Sequence, residues 1–384
     1  MVINSISRPG HLSTLRQLLD QFAVVAMIGP RQAGKTTLAR HLANAEPSHF
    51  FDLEDSRDAA RLASPMLALE SLTGLVVLDE IQTLPQLFPA LRVLADRPGR
   101  PARFLILGSA SPELAQQSAE TLAGRVVYHE LTGFNLAEVG VENTRRLWVQ
   151  GGFPRAYVEA PAASVRWRQA FTRTYLERDI PALGLRLPAA TLRRFWGMLA
   201  HYHGQTWNGA ELARAFGVSE KTVRHYLDIL AATFMVRVLP PWHEDIGKRV
   251  VKAPKIYLSD SGMLHTLLGL EDEAALLGHP KVGASWEGFA LAQIVAALTA
   301  TPEQCHYWKL HTGAELDLLI VQNGIRRGFE FKLTDSPRTN ASMQSALKDL
   351  KLDSLHVVHA GAQSYPMGDR IHSLALADIL TLER

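Results

Sequence analysis

Apolar and polar positions along the first 131 residues predict five strands with helices between them. The run Phe22 to Ile28 is continuously apolar and reads as a buried strand; from Thr37 onward Leu38 and Leu42 return at helical spacing. His49 to Leu53 is a second strand-like run, followed by a polar helical stretch from Ser56 to Ser71. A third strand, Leu75 to Leu78, ends in Asp79 and Glu80, and a fourth, Arg103 to Leu107, ends in Gly108-Ser109. A helix over Pro112 to Leu122 and a fifth strand over Val126 to Leu131 complete an α/β core. From Arg145 to Leu230 strand-like runs are scarce, and the last hundred residues again mix strands with helices. These shifts predict an α/β domain over 1–145, a helical region over 146–278 and a second α/β domain over 279–384.

The loop after the first strand carries the most specific chemistry. Gly29, Pro30, Arg31, Gln32, Ala33, Gly34, Lys35 and Thr36 form a complete GxxxxGK[ST] pattern, with Thr37 opening the helix. Glycines let a backbone close around a β-phosphate, and the helix N-terminus favours the anion. Lys35 supplies charge to the β- and γ-oxygens, and the Thr36 hydroxyl is a ligand for Mg2+. The third strand supplies the complementary acids: Asp79 to hold Mg2+ through water, and Glu80 to orient and deprotonate the attacking water. A nucleoside triphosphate with Mg2+ is what this pattern implies.

The extra strand between phosphate loop and acid strand, with the glutamate after the aspartate, resembles the AAA+ branch of P-loop ATPases. That resemblance makes ATP and Mg2+ the expected cofactors and implies a contact from Ser109 to the γ-phosphate or its water. It also places Arg125, just before the fifth strand, where such proteins carry an arginine finger acting on a neighbouring subunit. A surface arginine capping a helix C-terminus is the alternative for Arg125. Gly29 to Leu38, Leu78-Asp79-Glu80-Ile81-Gln82 and Gly151-Gly152-Phe153-Pro154 together resemble a large prokaryotic family of AAA-type ATPases with a C-terminal domain of unknown function. The resemblance spans nearly the whole chain.

Composition narrows the setting. The chain has 384 residues, 47% of them apolar, enough for two or three packed domains. No apolar run approaches membrane-spanning length, and Met1 to Arg16 lacks the apolar core of a secretory signal, so a cytoplasmic protein is expected. The single cysteine, Cys305, excludes an internal disulfide framework, and the 15 histidines form no ligand-like cluster. With 40 basic and 38 acidic residues the net charge is +2, so nucleic-acid binding would need a local patch.

Two such places are visible. Thr206 to Phe216, Gly217-Val218-Ser219 and Glu220 to Ala231 have the form helix, tight turn, helix, and resemble a winged helix-turn-helix. Lys221, Thr222, Arg224 and His225 would project from its second helix toward DNA; a lid or subunit contact is the other use of such an element. Lys248, Arg249, Lys252 and Lys255 form a basic strip that reads either as a wing touching phosphates or as a solvated hairpin edge. Near the C-terminus, Glu287 lies on an expected helix, Asp317 in the strand Leu316 to Val321, and Glu330-Phe331-Lys332 in the next strand after a turn at Asn323-Gly324. Glu330 and Lys332 share a strand face. This order resembles the PD-(D/E)xK nuclease fold, a restriction-endonuclease-like α/β domain. The resemblance implies Mg2+ or Mn2+ on Glu287, Asp317 and Glu330, with Lys332 assisting hydroxide formation. An ordinary ion pair between Asp317 and Lys332 is the alternative.

Three readings follow: an ATP-hydrolysing motor that remodels duplex or branched DNA, an ATP-regulated metal-dependent nuclease, or an ATP-dependent switch that binds a protein partner through an inactive nuclease-like domain. The first is preferred. It implies DNA as partner and a homo-oligomeric ring such as a hexamer.

Overall fold

The computed structural model describes residues 6–109, 121–182, 188–243 and 250–382. Most of the helix expected over Pro112 to Leu122, and both Lys248 and Arg249, lie outside the described residues. The chain divides into two compact units, one reaching to Gly133 and taking in Ala232–Phe234, the other comprising Phe134–Ala231 and the residues from Met235 onward.

The first unit is built on a five-stranded parallel sheet of β1 (Val24–Gly29), β2 (Ser48–Asp52), β3 (Gly74–Asp79), β4 (Ala102–Ser109) and β5 (Val126–Glu130), in the order β2-β3-β4-β1-β5. Both faces are covered, which is why the strands read as unbroken apolar runs rather than alternating ones. Val24, Ala26, Val76, Leu78, Phe104 and Ile106 pack with Phe88 and Leu91 of the Leu87–Ala95 helix. Val25, Met27, Val77 and Leu105 pack on the opposite side with Leu15 and Leu19 of the Pro9–Gln21 helix and Leu38 of the Lys35–Ala43 helix. Each such leucine or phenylalanine stabilises the fold by about 1.5–3 kcal/mol through burial. The polar stretch expected as one helix is two, Ser56–Arg61 and Pro65–Leu69. Pro65 has no N–H to continue the first helix, and its ring keeps Ser64 out of the helical region.

β4 lies between β1 and β3, so the phosphate loop and the Asp79–Glu80 pair leave the same edge of the sheet one strand apart. In open α/β sheets ligands bind at the carboxyl ends of the strands.

In the second unit, the Gly209–Phe216 helix starts at Asn208, whose side chain accepts from the Glu211 N–H, and stops at Gly217 in a left-handed conformation (φ 66°). After a three-residue turn the Glu220–Ala232 helix begins. A small antiparallel sheet of β6 (Gln205–Thr206), β7 (Val236–Leu239) and β8 (Lys255–Leu258), ordered β6-β8-β7, completes this element. Phe195, Trp196, Leu212, Val223, Leu227 and Ile256 are part of its core.

The Val282–Ala297 helix leads into β9 (Cys305–Lys309), β10 (Glu315–Gln322) and β11 (Ile325–Lys332), an antiparallel trio. The Ala341–Asp349 helix then crosses to β12 (Ser354–His359), which runs parallel to β11. β13 (Tyr365–Pro366) and β14 (Ile371–Ala375) extend the sheet to the order β13-β14-β12-β11-β10-β9. Asn323 and Gly324 both take positive φ and make the two-residue turn between β10 and β11. The helical region and the C-terminal sheet thus fold within one unit. Among the described residues no helix is long and apolar enough to cross a membrane.

Candidate functional site

The phosphate loop is held open by backbone geometry. Gly29 ends β1 at φ 152°, where a Cβ would lie 2.1 Å from the Leu131 carbonyl oxygen, so no side chain fits. Gly34, left-handed at φ 95°, turns the chain into the Lys35–Ala43 helix. Lys35 is buried at 6% exposure, and its Nζ donates to the carbonyls of Gly29 (3.0 Å) and Pro30 (2.9 Å). Burial lowers its pKa to about 8, against the opposing pull of Glu80 and Asp79. Arg31 reaches Glu54 at 3.1 Å. The Ala33 carbonyl accepts from buried Arg8 at 3.3 Å, whose guanidinium also donates to Thr132 (3.1 Å) and Gly133 (3.3 Å). Arg8 therefore ties the segment before the first helix and the end of β5 to the loop. Nothing local in the sequence marks it.

Asp79, the last residue of β3, is 4% exposed and hydrogen-bonded to the Thr36 side chain. Burial raises its pKa, and the Thr36 bond opposes the rise. Adjacent hydroxyl and carboxylate oxygens are the hard donors that Mg2+ prefers, so the residues present fit that ion. Glu80 adopts the left-handed region (φ 56°, ψ 47°), a conformation costing a side-chain-bearing residue on the order of 1 kcal/mol or more. Its carboxylate accepts from the Gln82 side-chain amide, and its N–H donates to Asp79 Oδ1 at 3.0 Å. Ser109 stands in register with Gly29, one strand over. Arg125 makes a two-pronged ion pair with Asp96 of its own subunit, at 2.7 and 2.9 Å.

The second unit contains an acid cleft of about 540 Å3. Glu315 and Asp317 share one face of β10, Glu330 and Lys332 share one face of β11, and Glu287 comes from the Val282–Ala297 helix. The most deeply buried cation among them is Lys255, the first residue of β8, 3% exposed. Its Nζ lies 2.5 Å from Glu315 Oε1, 3.1 Å from Asp317 Oδ1 and 3.2 Å from Glu287 Oε1. Burial alone would lower the Lys255 pKa, but Tyr257, Glu287, Asp317 and Glu315 together outweigh it and hold it well above the ordinary lysine value. Tyr257 donates to Glu287 at 2.6 Å, and the Phe331 N–H to Asp317 Oδ2 at 3.2 Å. Lys309 pairs with Glu315 at 2.7 Å and Lys332 with Glu330 at 3.1 Å. Burial and the Asp317 charge raise the Glu330 pKa, with Lys332 opposing.

Lys255 therefore belongs neither to a solvated hairpin edge nor to a wing surface, because strands on both sides of β8 and the acids in front bury it. Asp317 pairs with Lys255, while Lys332 pairs with Glu330. The donor set does not fit a divalent ion as it stands: an ammonium occupies the point where three carboxylates converge. Among the described residues, no group of three or more His, Cys, Asp or Glu is arranged to hold a metal ion. On the Glu220–Ala232 helix, Lys221, Arg224 and His225 are exposed, Arg224 pairs with Asp228 at 2.8 Å, and Thr222 is half-buried.

A parallel sheet of this order with a lysine-bearing phosphate loop and a neighbouring acid pair defines an AAA-type P-loop ATPase. Residues 21–140 match the family described as AAA domain, residues 141–274 a domain of unknown function (DUF8612), and residues 282–379 a domain of unknown function (DUF4143). Uncharacterized proteins of Mycobacterium tuberculosis and Mycobacterium bovis are each 49% identical over 377 residues, covering 98% of this chain and 85% of theirs. A solved Walker-type ATPase of Pyrococcus abyssi shares the fold at TM-score 0.51 and 15% identity, over 69% of this chain and 96% of that one. The chain belongs to the family of AAA-type P-loop ATPases with a C-terminal DUF4143 domain, together with its mycobacterial relatives.

Proposed function

We propose that this ATPase is a motor that remodels DNA held by its second unit. In the ATP site, Lys35 would exchange its two backbone carbonyls for β- and γ-phosphate oxygens. Thr36 and Asp79 are the residues that would hold Mg2+, which when bound offsets phosphate charge. Glu80, steadied by Gln82, accepts the proton of the attacking water. Arg125 is proposed to serve the neighbouring subunit of a homo-oligomeric ring, which requires it to leave Asp96.

The observation that carries the DNA reading is the joining of two arrangements in one compact unit. One is helix, turn, helix and three-stranded sheet, the arrangement of a winged helix, with Lys221 and His225 exposed on the second helix. The other is helix, three antiparallel strands, helix and parallel strand, the order of the PD-(D/E)xK fold. Lys255 among the acids favours binding over cutting.

The test is ATP turnover with single-stranded, duplex and four-way-junction DNA, alongside binding at several salt concentrations. One DNA form should stimulate turnover, and its affinity should fall steeply with salt. Lys221→Glu should weaken binding by about 1 kcal/mol, roughly fivefold, across sequences. Absence of both binding and stimulation at low salt would favour an ATP-dependent switch for a protein partner, a reading that the lysine-filled cleft also suits.

A further inference from the structure

We infer that Lys255 is the resident cation of the acid cleft, a side chain standing where a divalent ion would otherwise bind, so that this centre is complete without metal. The inference concerns the cleft alone and holds whether or not DNA is the partner.

Lys255 begins the central strand of the small sheet, with Thr206 beside it on β6 and Leu239 on β7, so its backbone is fixed from both sides. Its stem runs through buried surroundings, and its Nζ lies 5.7 Å from the centre of the Tyr307 ring. The ammonium reaches one oxygen from each of three separate carboxylates, at 2.5 to 3.2 Å. Three donors on an –NH3+ and three acceptors around it match in number, the saturated state of a lysine. Mg2+ needs oxygens at about 2.0–2.1 Å in near-octahedral array. An ion placed there would meet the ammonium charge at bonding distance, and the Lys255 backbone, paired on both sides, holds that ammonium in place. Two more lysines join the cleft, Lys309 on Glu315 and Lys332 on Glu330.

Replacing Lys255 by methionine keeps the stem and removes the charge. Three carboxylates then face one another, and a divalent ion becomes the means of relieving their repulsion. The experiment uses the full nucleotide-free chain carrying Asp79→Asn, which removes the acid of the phosphate site, and follows Mn2+ by electron paramagnetic resonance together with thermal melting. The Asp79→Asn parent should bind no Mn2+ that depends on Asp317, so adding Asp317→Asn leaves its Mn2+ isotherm unchanged. Lys255→Met in that background should gain one Mn2+ site at least about tenfold tighter than any in the parent. It should melt lower than the parent, and Mn2+ should raise its midpoint but not the parent's. Adding Asp317→Asn to Lys255→Met should abolish the new site.

A parent that binds one Mn2+ lost on Asp317→Asn overturns the inference, because the position would then accept metal despite the lysine. A folded Lys255→Met that neither binds Mn2+ nor is stabilised by it overturns it equally. Should Lys255→Met fail to fold, Lys255→Gln in the same background, uncharged and hydrogen-bonding, is held to the same outcomes.

Discussion

Lys35 and Glu80 show how far single side chains are shaped by what surrounds them. Burial lowers the Lys35 pKa to about 8, and a bound triphosphate would favour its charged form and so raise that value. Above pH 8 the free protein has lost this proton and must regain it to bind nucleotide. ATP affinity is therefore constant below about pH 7 and falls as pH rises through 8, by at most about tenfold per pH unit. Titration calorimetry in two buffers of different ionisation enthalpy should show proton uptake at about pH 9 that largely vanishes at about pH 7, roughly a unit either side of the lysine. Glu80 depends instead on an orienting neighbour. Glu80→Gln should keep ATP binding and lower kcat by about a hundredfold or more. Gln82→Ala leaves the carboxylate in place but unsteadied, and should lower kcat by roughly tenfold with KM little changed. A merely structural role for Gln82 would move KM and melting temperature instead.

At the level of elements, the strand–loop–helix over Val24–Ala43 is a unit whose parts constrain one another. The carbonyl of Leu131 lies against Gly29, so the end of β5 sets the entry of the phosphate loop. Gly29→Ala should destabilise the first unit by about 2 kcal/mol or more and abolish nucleotide binding, seen as a lower melting midpoint that ATP no longer raises. This element was legible in the sequence because its strand, loop and helix are contiguous and each carries a local signature. The β10–β11 hairpin was legible for the same reason, since Asn323-Gly324 demands a two-residue turn and the alternation around it fixes which residues share a face. Glu315, two residues before Asp317 on one strand, is open to the same reading. Lys255 was not legible. Its neighbours Lys252 and Pro254 read as a surface strip, and only pairing with β6 and β7 carries it inward to acids more than thirty positions away. The placing of β4 between β1 and β3 is likewise a matter of long-range pairing, which local pattern does not encode.

Across the whole molecule, two compact units divide the chemistry, one bearing the ATPase centre and the other the helix-turn-helix and the acid cleft. A net charge of +2 gives neither strong self-repulsion nor a general pull on nucleic acid, so partners must be selected by local surfaces. Arg125 is the residue through which assembly would reach catalysis. If it acts across subunits, ATP turnover per chain should rise with protein concentration over the range in which light scattering reports self-association, and Arg125→Ala should flatten that rise. A rate per chain independent of concentration would leave Arg125 as the partner of Asp96 and nothing more. The ammonium between Glu287, Glu315 and Asp317 also separates the two units in their dependence on the cell. With Mg2+ held by Thr36 and Asp79 as proposed, nucleotide turnover would answer to the supply of free magnesium, whereas the charge that completes the cleft arrives with translation: no chelator strips it, no starvation depletes it, and only a change of codon can take it away.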